Sequence, residues 1–101
     1  MRDYKRKMDQ YRLPQEQYKK LRAFCRTEEA DPFILSALSQ EFGEATDAMQ
    51  WWIYHHVTRT DFTWAYMESR NIPCGKETFY FYRCKFYWYL AQVVDENGAT
   101  S

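Results

Sequence analysis

The fold of this chain is decided by one segment near its C-terminus, residues 60–86, with the sequence TDFTWAYMESRNIPCGKETFYFYRCKF. Apolar residues recur at helical spacing on both sides of a break at residues 70–75. Within the break, Asn71 suits the left-handed position that follows a helix, and Pro73 prevents the helix from continuing. The segment therefore predicts a short helix, a tight turn and a long second helix.

Capping residues and periodicity give the limits of these two helices. Thr60 is the predicted N-cap of the first, which covers residues 61–69 with Phe62, Ala65 and Tyr66 facing inward. The second follows Cys74 and extends to about residue 94. Its predicted core stripe consists of Phe79, Tyr82, Phe86, Leu90 and Val93.

Three further helices are predicted upstream. The first begins at Leu13-Pro14, the second covers residues 32–42 after Asp31 as N-cap, and the third begins near Thr46. Because strand alternation is weak throughout, we expect an all-α fold, a small bundle of four to five helices with a C-terminal helix-turn-helix. The predicted organisation is a flexible basic arm (1–12), a single helical domain (13–94, with the helix-turn-helix at about 60–94) and a polar tail (95–101).

The charge distribution is uneven although the net charge of the 101 residues is zero. Residues 1–26 carry nine Lys and Arg against three Asp and Glu, whereas residues 27–50 carry six acids and no base. A basic arm beside an acidic centre suits a protein that touches a polyanion with one face. A solvated surface whose charges complement one another is the alternative interpretation.

Motifs for catalysis or for metal and cofactor binding are not found in the sequence. The three cysteines form no Cys-x-x-Cys pair, and His55 and His56 are adjacent, so that on a helix they point about 100° apart. Only three glycines occur, and no phosphate loop is formed from them. We therefore expect no enzyme activity, no cofactor and no metal. The charged N-terminus and the lack of a long apolar window predict a cytoplasmic protein that does not span a membrane.

The outward face of the second helix predicts contact with DNA. In a helix-turn-helix, the N-terminal half of the second helix enters the major groove. Lys76 would meet guanine or phosphate, Tyr80 or Phe81 would pack on a thymine methyl group, and flanking cations would meet phosphates. The predicted DNA contacts are Arg70, Lys76, Tyr80, Phe81, Arg83 and Lys85 in this segment and Lys5, Arg6 and Lys7 in the N-terminal arm.

The stretch over residues 63–91 resembles small phage and prophage transcription regulators of the RinA/ArpU kind, which are similar to the promoter-binding domain of sigma factors. The matching elements are Trp64, Ile72-Pro73-Cys74, Thr78-Phe79-Tyr80, Arg83, Lys85 and Leu90-Ala91. Upstream, Leu13-Pro14 and the residues up to Tyr18, followed by Arg22, resemble the first helix of such proteins. The resemblance implies a helix-turn-helix and duplex DNA as partner. The family pattern has Ser where this chain has Cys74, and more Arg and Lys in the second helix.

Aromatic residues suggest a second kind of partner. They make up 20% of the chain, and a domain this small cannot enclose them all. Trp51 and Trp88 are predicted to form an exposed aromatic patch, which would serve a homodimer or the transcription machinery. The expected function is a phage-type transcription regulator. The alternatives are a protein-interaction adaptor that uses the aromatic surface and binds no nucleic acid, and a helix pair that serves only core packing.

Overall fold

The computed structural model describes residues 11–39 and 47–97, and the regular secondary structure of this part of the chain is all helical. The five α-helices are α1 (Gln15–Phe24), α2 (Asp31–Leu38), α3 (Asp47–Thr58), α4 (Trp64–Ser69) and α5 (Lys76–Asn97). A single 3₁₀ turn, Glu28–Ala30, leads directly into α2. The predicted all-α class and the number of helices are confirmed for the described residues, in which no strand occurs.

Helix α5 is the central element, against which α1 and α2 pack. Its predicted core stripe is confirmed at Phe79, Phe86, Leu90 and Val93, which are buried, while Tyr82 is half-buried. Burial also extends to further positions around the helix: Phe81, Lys85, Tyr87, Ala91 and Val94. The helix is therefore enclosed on more than one side, although an amphipathic pattern predicts a single apolar stripe.

The remaining core residues come from each of the other helices and from the segment before α4. They are Leu21 and Cys25, Ile34, Ala37 and Leu38, Met49, Ile53 and Val57, Phe62 and Met67. Each large apolar side chain removed from water in this way stabilises the fold by about 1.5–3 kcal/mol. The core around α5 therefore includes residues from all four other helices, from the segment before α4 and, through Ala30, from the 3₁₀ turn.

Helix α4 begins later than the sequence predicts. Thr63 is its N-cap, and the Thr63 hydroxyl accepts a hydrogen bond from the backbone N–H of Tyr66 at 3.3 Å. The prediction of Thr60 as N-cap is therefore wrong, and Phe62 is buried ahead of the helix instead of within it. Because Met67 supplies the buried face of α4, Ala65 and Tyr66 are exposed, contrary to prediction.

The end of α4 has the predicted left-handed residue. Asn71 has a φ of 63°. The N–H of Ile72 donates to the carbonyl of Met67 at 3.2 Å, and that of Asn71 donates to Glu68 at 3.1 Å. This pair of bonds is a Schellman motif, which satisfies carbonyls that the helix end leaves open. Six residues, 70–75, separate α4 from α5.

Several other boundaries differ from prediction. Asp31 is the first residue of α2 and not its N-cap, because the preceding 3₁₀ turn already has helical geometry. Helix α5 continues to Asn97, so residues 95–97 belong to the helix and not to a tail. Helix α2 ends at Leu38, with Ser39 as its C-cap, so the predicted end at residue 42 is wrong. Thr46, most of the basic arm and most of the polar tail lie outside the described residues.

Candidate functional site

Three predicted site residues lie together on one face of α5. Lys76, Tyr80 and Arg83 are spaced by four and three residues, which places them above one another on a helix. The Lys76 ammonium is 5.7 Å from the centre of the Tyr80 ring, and the Arg83 guanidinium carbon is 4.4 Å from it. We call these three residues the α5 face. Two cations thus flank one aromatic ring, an arrangement that cation–π attraction stabilises.

Phe81 and Lys85, by contrast, lie away from the α5 face. Their exposed fractions are only 7% and 9%. The Phe81 ring is 6.2 Å from that of Tyr11, and the Lys85 ammonium is 5.6 Å from the same tyrosine ring. The prediction that these two side chains project outward is wrong, because the segment before α1 packs on that side of α5. Helical periodicity within α5 contains no information about this distant segment.

The remaining predicted DNA contacts lie elsewhere. Arg70 is exposed at the end of α4, with its guanidinium carbon 5.2 Å from the Tyr66 ring. Lys5, Arg6 and Lys7 lie outside the described residues. The structure therefore brings Lys76, Tyr80 and Arg83 together and leaves Arg70 on a different helix.

A cavity of about 260 Å³ opens beside the α5 face, where α1, the end of α3 and α5 meet. We call it the arginine pocket. Its cationic and histidine lining consists of Arg22, Arg26, His56, Arg59 and Arg83. The other lining residues are Thr60, Phe62, Thr63, Trp64, Tyr80 and Tyr87. Among the described residues, the lining therefore contains four arginines and no carboxylate.

The electrostatics of the arginine pocket leave three uncompensated cations. Arg59 forms a bidentate ion pair with Asp61, with both nitrogen–oxygen distances at 3.1 Å. Within the described part of the chain, no carboxylate forms an ion pair with Arg22, Arg26 or Arg83. The pocket is therefore a concentration of positive charge in a protein whose net charge is zero.

His56 connects the pocket to the backbone. Its Nδ1 is 2.8 Å from the carbonyl oxygen of Phe62, and its Nε2 is 3.2 Å from a guanidinium nitrogen of Arg83. Because the carbonyl only accepts and the guanidinium only donates, Nδ1 carries the proton and Nε2 is the acceptor. Burial, followed by the charges of Arg83, Arg22 and Arg26, lowers the pKa of His56 below its usual value. His56 is thus a neutral residue that orients Arg83.

The predicted joint patch of Trp51 and Trp88 is not an equally exposed pair. Trp51 is 52% exposed, with its ring 4.4 Å from that of His55. Trp88 is half-buried, and its ring is 5.2 Å from that of Tyr11. The segment before α1 covers part of the Trp88 ring, so Trp51 is the more accessible of the two.

The thiols and other ligand groups show no assembled reactive or metal site over residues 11–39 and 47–97. No cluster of three His, Cys, Asp or Glu side chains suitable for a metal occurs there. Burial raises the pKa of Cys25 to about 12, and it raises that of Cys74 to a smaller extent. Such thiols are poor nucleophiles at neutral pH. None of the described helices combines the length and the apolar character needed to cross a membrane.

Sequence reasoning missed Arg22, Arg26 and His56 as members of one site. Arg22 and Arg26 are four residues apart, and this spacing alone could have marked a basic face at the end of the first helix. That this face meets His56 and Arg83 follows only from the packing of three helices. No comparable signal in the sequence connects residues 22 and 83.

No protein-family model, curated protein or solved structure matches the chain, so comparison with known proteins assigns neither a family nor a function. The resemblance to phage regulators of the RinA/ArpU kind stays a prediction. Function is therefore inferred from the chemistry of the α5 face and the arginine pocket.

Proposed function

We propose that this protein is a DNA-binding transcription regulator of phage or prophage type that binds duplex DNA through the N-terminal half of α5. The observation that carries this proposal is the α5 face, Lys76, Tyr80 and Arg83, beside a pocket lined by arginines. Lys and Arg side chains supply most contacts to DNA phosphates, and a tyrosine between them offers a ring and a hydroxyl to a sugar or base. The positive charge of this face and pocket favours DNA binding, although the net charge of the protein is zero.

The arrangement of α4 and α5 supports a helix-turn-helix role for this segment. The Trp64 ring of α4 is 5.8 Å from the Phe79 ring of α5, so the two helices contact each other at their N-terminal ends. The first N–H groups of α5 favour a phosphate near Lys76. The connection of six residues is longer than the three or four residues usual for this motif, and exposed Glu77 opposes a phosphate in the first turn. Lys76 and Arg83 outnumber this single acid.

A protein-interaction adaptor is the second candidate, favoured by one observation. Large apolar side chains are exposed at Leu35 (54%), Trp51 (52%) and Tyr66 (38%). Tyrosine and tryptophan are enriched where proteins bind one another. An adaptor of this kind would bind through these side chains and would leave the α5 face without a role.

The test is a fluorescence-anisotropy titration of phage-derived and random duplexes at several salt concentrations. We expect binding with a negative slope of log affinity against log salt. The double variant Lys76→Ala with Arg83→Ala should weaken binding and leave the circular-dichroism spectrum unchanged. Lys20→Ala is the matched control, since Lys20 lies on α1 in a separate hollow with Glu16 and Asp95. Lack of binding at low salt would exclude the DNA proposal and favour the adaptor.

A further inference from the structure

The arginine pocket has an electrostatic cost that the fold alone does not explain. Arg22 lies in the last turn of α1 and Arg26 in the turn that follows the helix, so two positive charges line the same cavity from one side. Arg83 of α5 adds a third cation to the same cavity of about 260 Å³. Because no carboxylate lines the cavity within residues 11–39 and 47–97, no side chain of this part of the protein neutralises the three cations there. An anion would neutralise it.

The donor set of the pocket favours a phosphate group over other anions. Each guanidinium presents a planar fork of N–H donors, which matches two oxygens of a phosphate. The three arginines line the cavity from two sides, since Arg22 and Arg26 belong to α1 and the turn that follows it and Arg83 belongs to α5. Thr60, a residue with a hydroxyl donor, also lines the pocket.

The Arg83 guanidinium is held in place before any ligand arrives. His56 Nε2 accepts from it at 3.2 Å on one side, and the Tyr80 ring lies 4.4 Å from its carbon on the other. A guanidinium fixed in this way loses little conformational entropy when it binds an anion. His56 is therefore a positioning residue, and it does not need to contact the ligand.

We propose that the arginine pocket is a phosphate-binding site, in which Arg22, Arg26 and Arg83 hold one phosphate group. The backbone of duplex DNA and free phosphate supply the same chemistry. For DNA as the ligand, the inference rests on the proposed function. The pocket would hold one backbone phosphate, and the neighbouring α5 face, which shares Tyr80 and Arg83 with the pocket, would contact the adjoining groove.

The first arm of the test uses inorganic phosphate and calorimetry at constant ionic strength. We expect saturable binding by the unaltered protein and a loss of about tenfold or more in Arg26→Gln and Arg83→Gln, because each removes a charge-assisted hydrogen bond. Lys20→Gln removes one positive charge from α1 outside the pocket. This variant should bind phosphate as tightly as the unaltered protein does. Equal binding by all four proteins, or no binding by any, would overturn the phosphate site for free phosphate.

The second arm uses duplex DNA and its salt dependence. Each lost phosphate contact should make the slope of log affinity against log salt less negative by about 0.9. We expect this change in Arg26→Gln and in Arg83→Gln, and no change in Lys20→Gln. Thermal unfolding of each variant checks its fold, and Arg26 is suited to substitution because it is exposed and lies beyond the end of α1.

The two arms separate the pocket from the function. Phosphate binding that needs Arg26 and Arg83, without DNA binding at low salt, would support the pocket and reject the DNA regulator. DNA binding with an unchanged slope in Arg26→Gln, which lies outside the α5 face, and no phosphate binding would overturn the pocket and leave the regulator in place. Weaker phosphate binding together with a less negative salt slope for DNA, both caused by the same two substitutions, would support both the pocket and the regulator.

Discussion

The contact between His56 and Arg83 makes a prediction that a double-mutant cycle tests directly. The four proteins are the unaltered chain, His56→Leu, Arg83→Met and the double variant. Arg83→Met keeps an apolar stem and removes the donors, and His56→Leu removes both ring nitrogens. The cycle isolates the free energy of the bond between the two side chains, since every other consequence of each substitution cancels.

The structure sets the expected size of this coupling. A hydrogen bond to a charged group contributes about 1.5–3 kcal/mol to stability. His56 and Arg83 are only partly buried, and the bond of 3.2 Å is long. We therefore expect a favourable coupling of about 1 kcal/mol, below that range. His56→Leu alone should cost about 2 kcal/mol, because it also removes a bond to the Phe62 carbonyl that is worth about 1 kcal/mol.

The sign of the pH dependence follows from the lowered pKa of His56. Burial first, and then the charges of Arg83, Arg22 and Arg26, hold its folded pKa below the ordinary value of 6.5. The contribution of His56 is fully present above that value and is lost as pH falls through the folded pKa. Protonated Nε2 can no longer accept from Arg83 and repels it. Coupling should therefore be favourable near pH 8 and absent or unfavourable at an acid pH below the folded pKa of His56.

The assay is urea unfolding of the four proteins, followed by far-ultraviolet circular dichroism at both pH values. The transition midpoint and slope give each free energy of unfolding. Equal slopes confirm that the four proteins unfold in the same way. A coupling of zero near pH 8 would refute the neutral His56 acceptor and its role in orienting Arg83.

Three further predictions concern the fold. Asn71→Ala should destabilise the protein by about 1 kcal/mol, because Asn71 has a φ of 63°, whereas Asn71→Gly should not; equal urea midpoints for the two would contradict this. Phe86→Ala should cost about 3–5 kcal/mol, since its ring is fully buried, and Leu35→Ala, at an exposed site, should change the free energy of unfolding by no more than about 0.5 kcal/mol. Cys25, with its pKa raised to about 12, should react with a thiol reagent far more slowly than Cys74 until urea unfolds the chain; equal rates in the folded protein would count against the buried position.

Local chemistry explains why much of α5 and its preceding turn could be predicted. The left-handed conformation of Asn71 and the start of a helix after Cys74 depend on residues within a few positions of each other. The buried face through Phe79, Phe86 and Leu90 follows from helical periodicity. Thr60 was the predicted cap of α4, whereas Thr63 is the observed one and Phe62 is buried ahead of the helix.

The candidate site was predicted only in part. Lys76, Tyr80 and Arg83 share a face because they belong to one helix with one period. Phe81 and Lys85 belong to the same helix, yet they are buried by Tyr11, some seventy residues earlier in the chain. No pattern within α5 distinguishes a side that faces solvent from a side that another segment covers.

By itself the sequence determined the helices, the turn at Asn71 and the α5 face, since hydrogen bonds, caps and periodicity act between near neighbours in the chain. Tertiary structure alone decided that Arg22 and Arg26 meet His56 and Arg83 in one pocket, to which no carboxylate of the described residues contributes. The physical reason is that charges interact through space, and distances between helices are set by how α1, α3 and α5 pack. The fold therefore assembles a concentration of positive charge that neither the net charge of zero nor any single helix indicates.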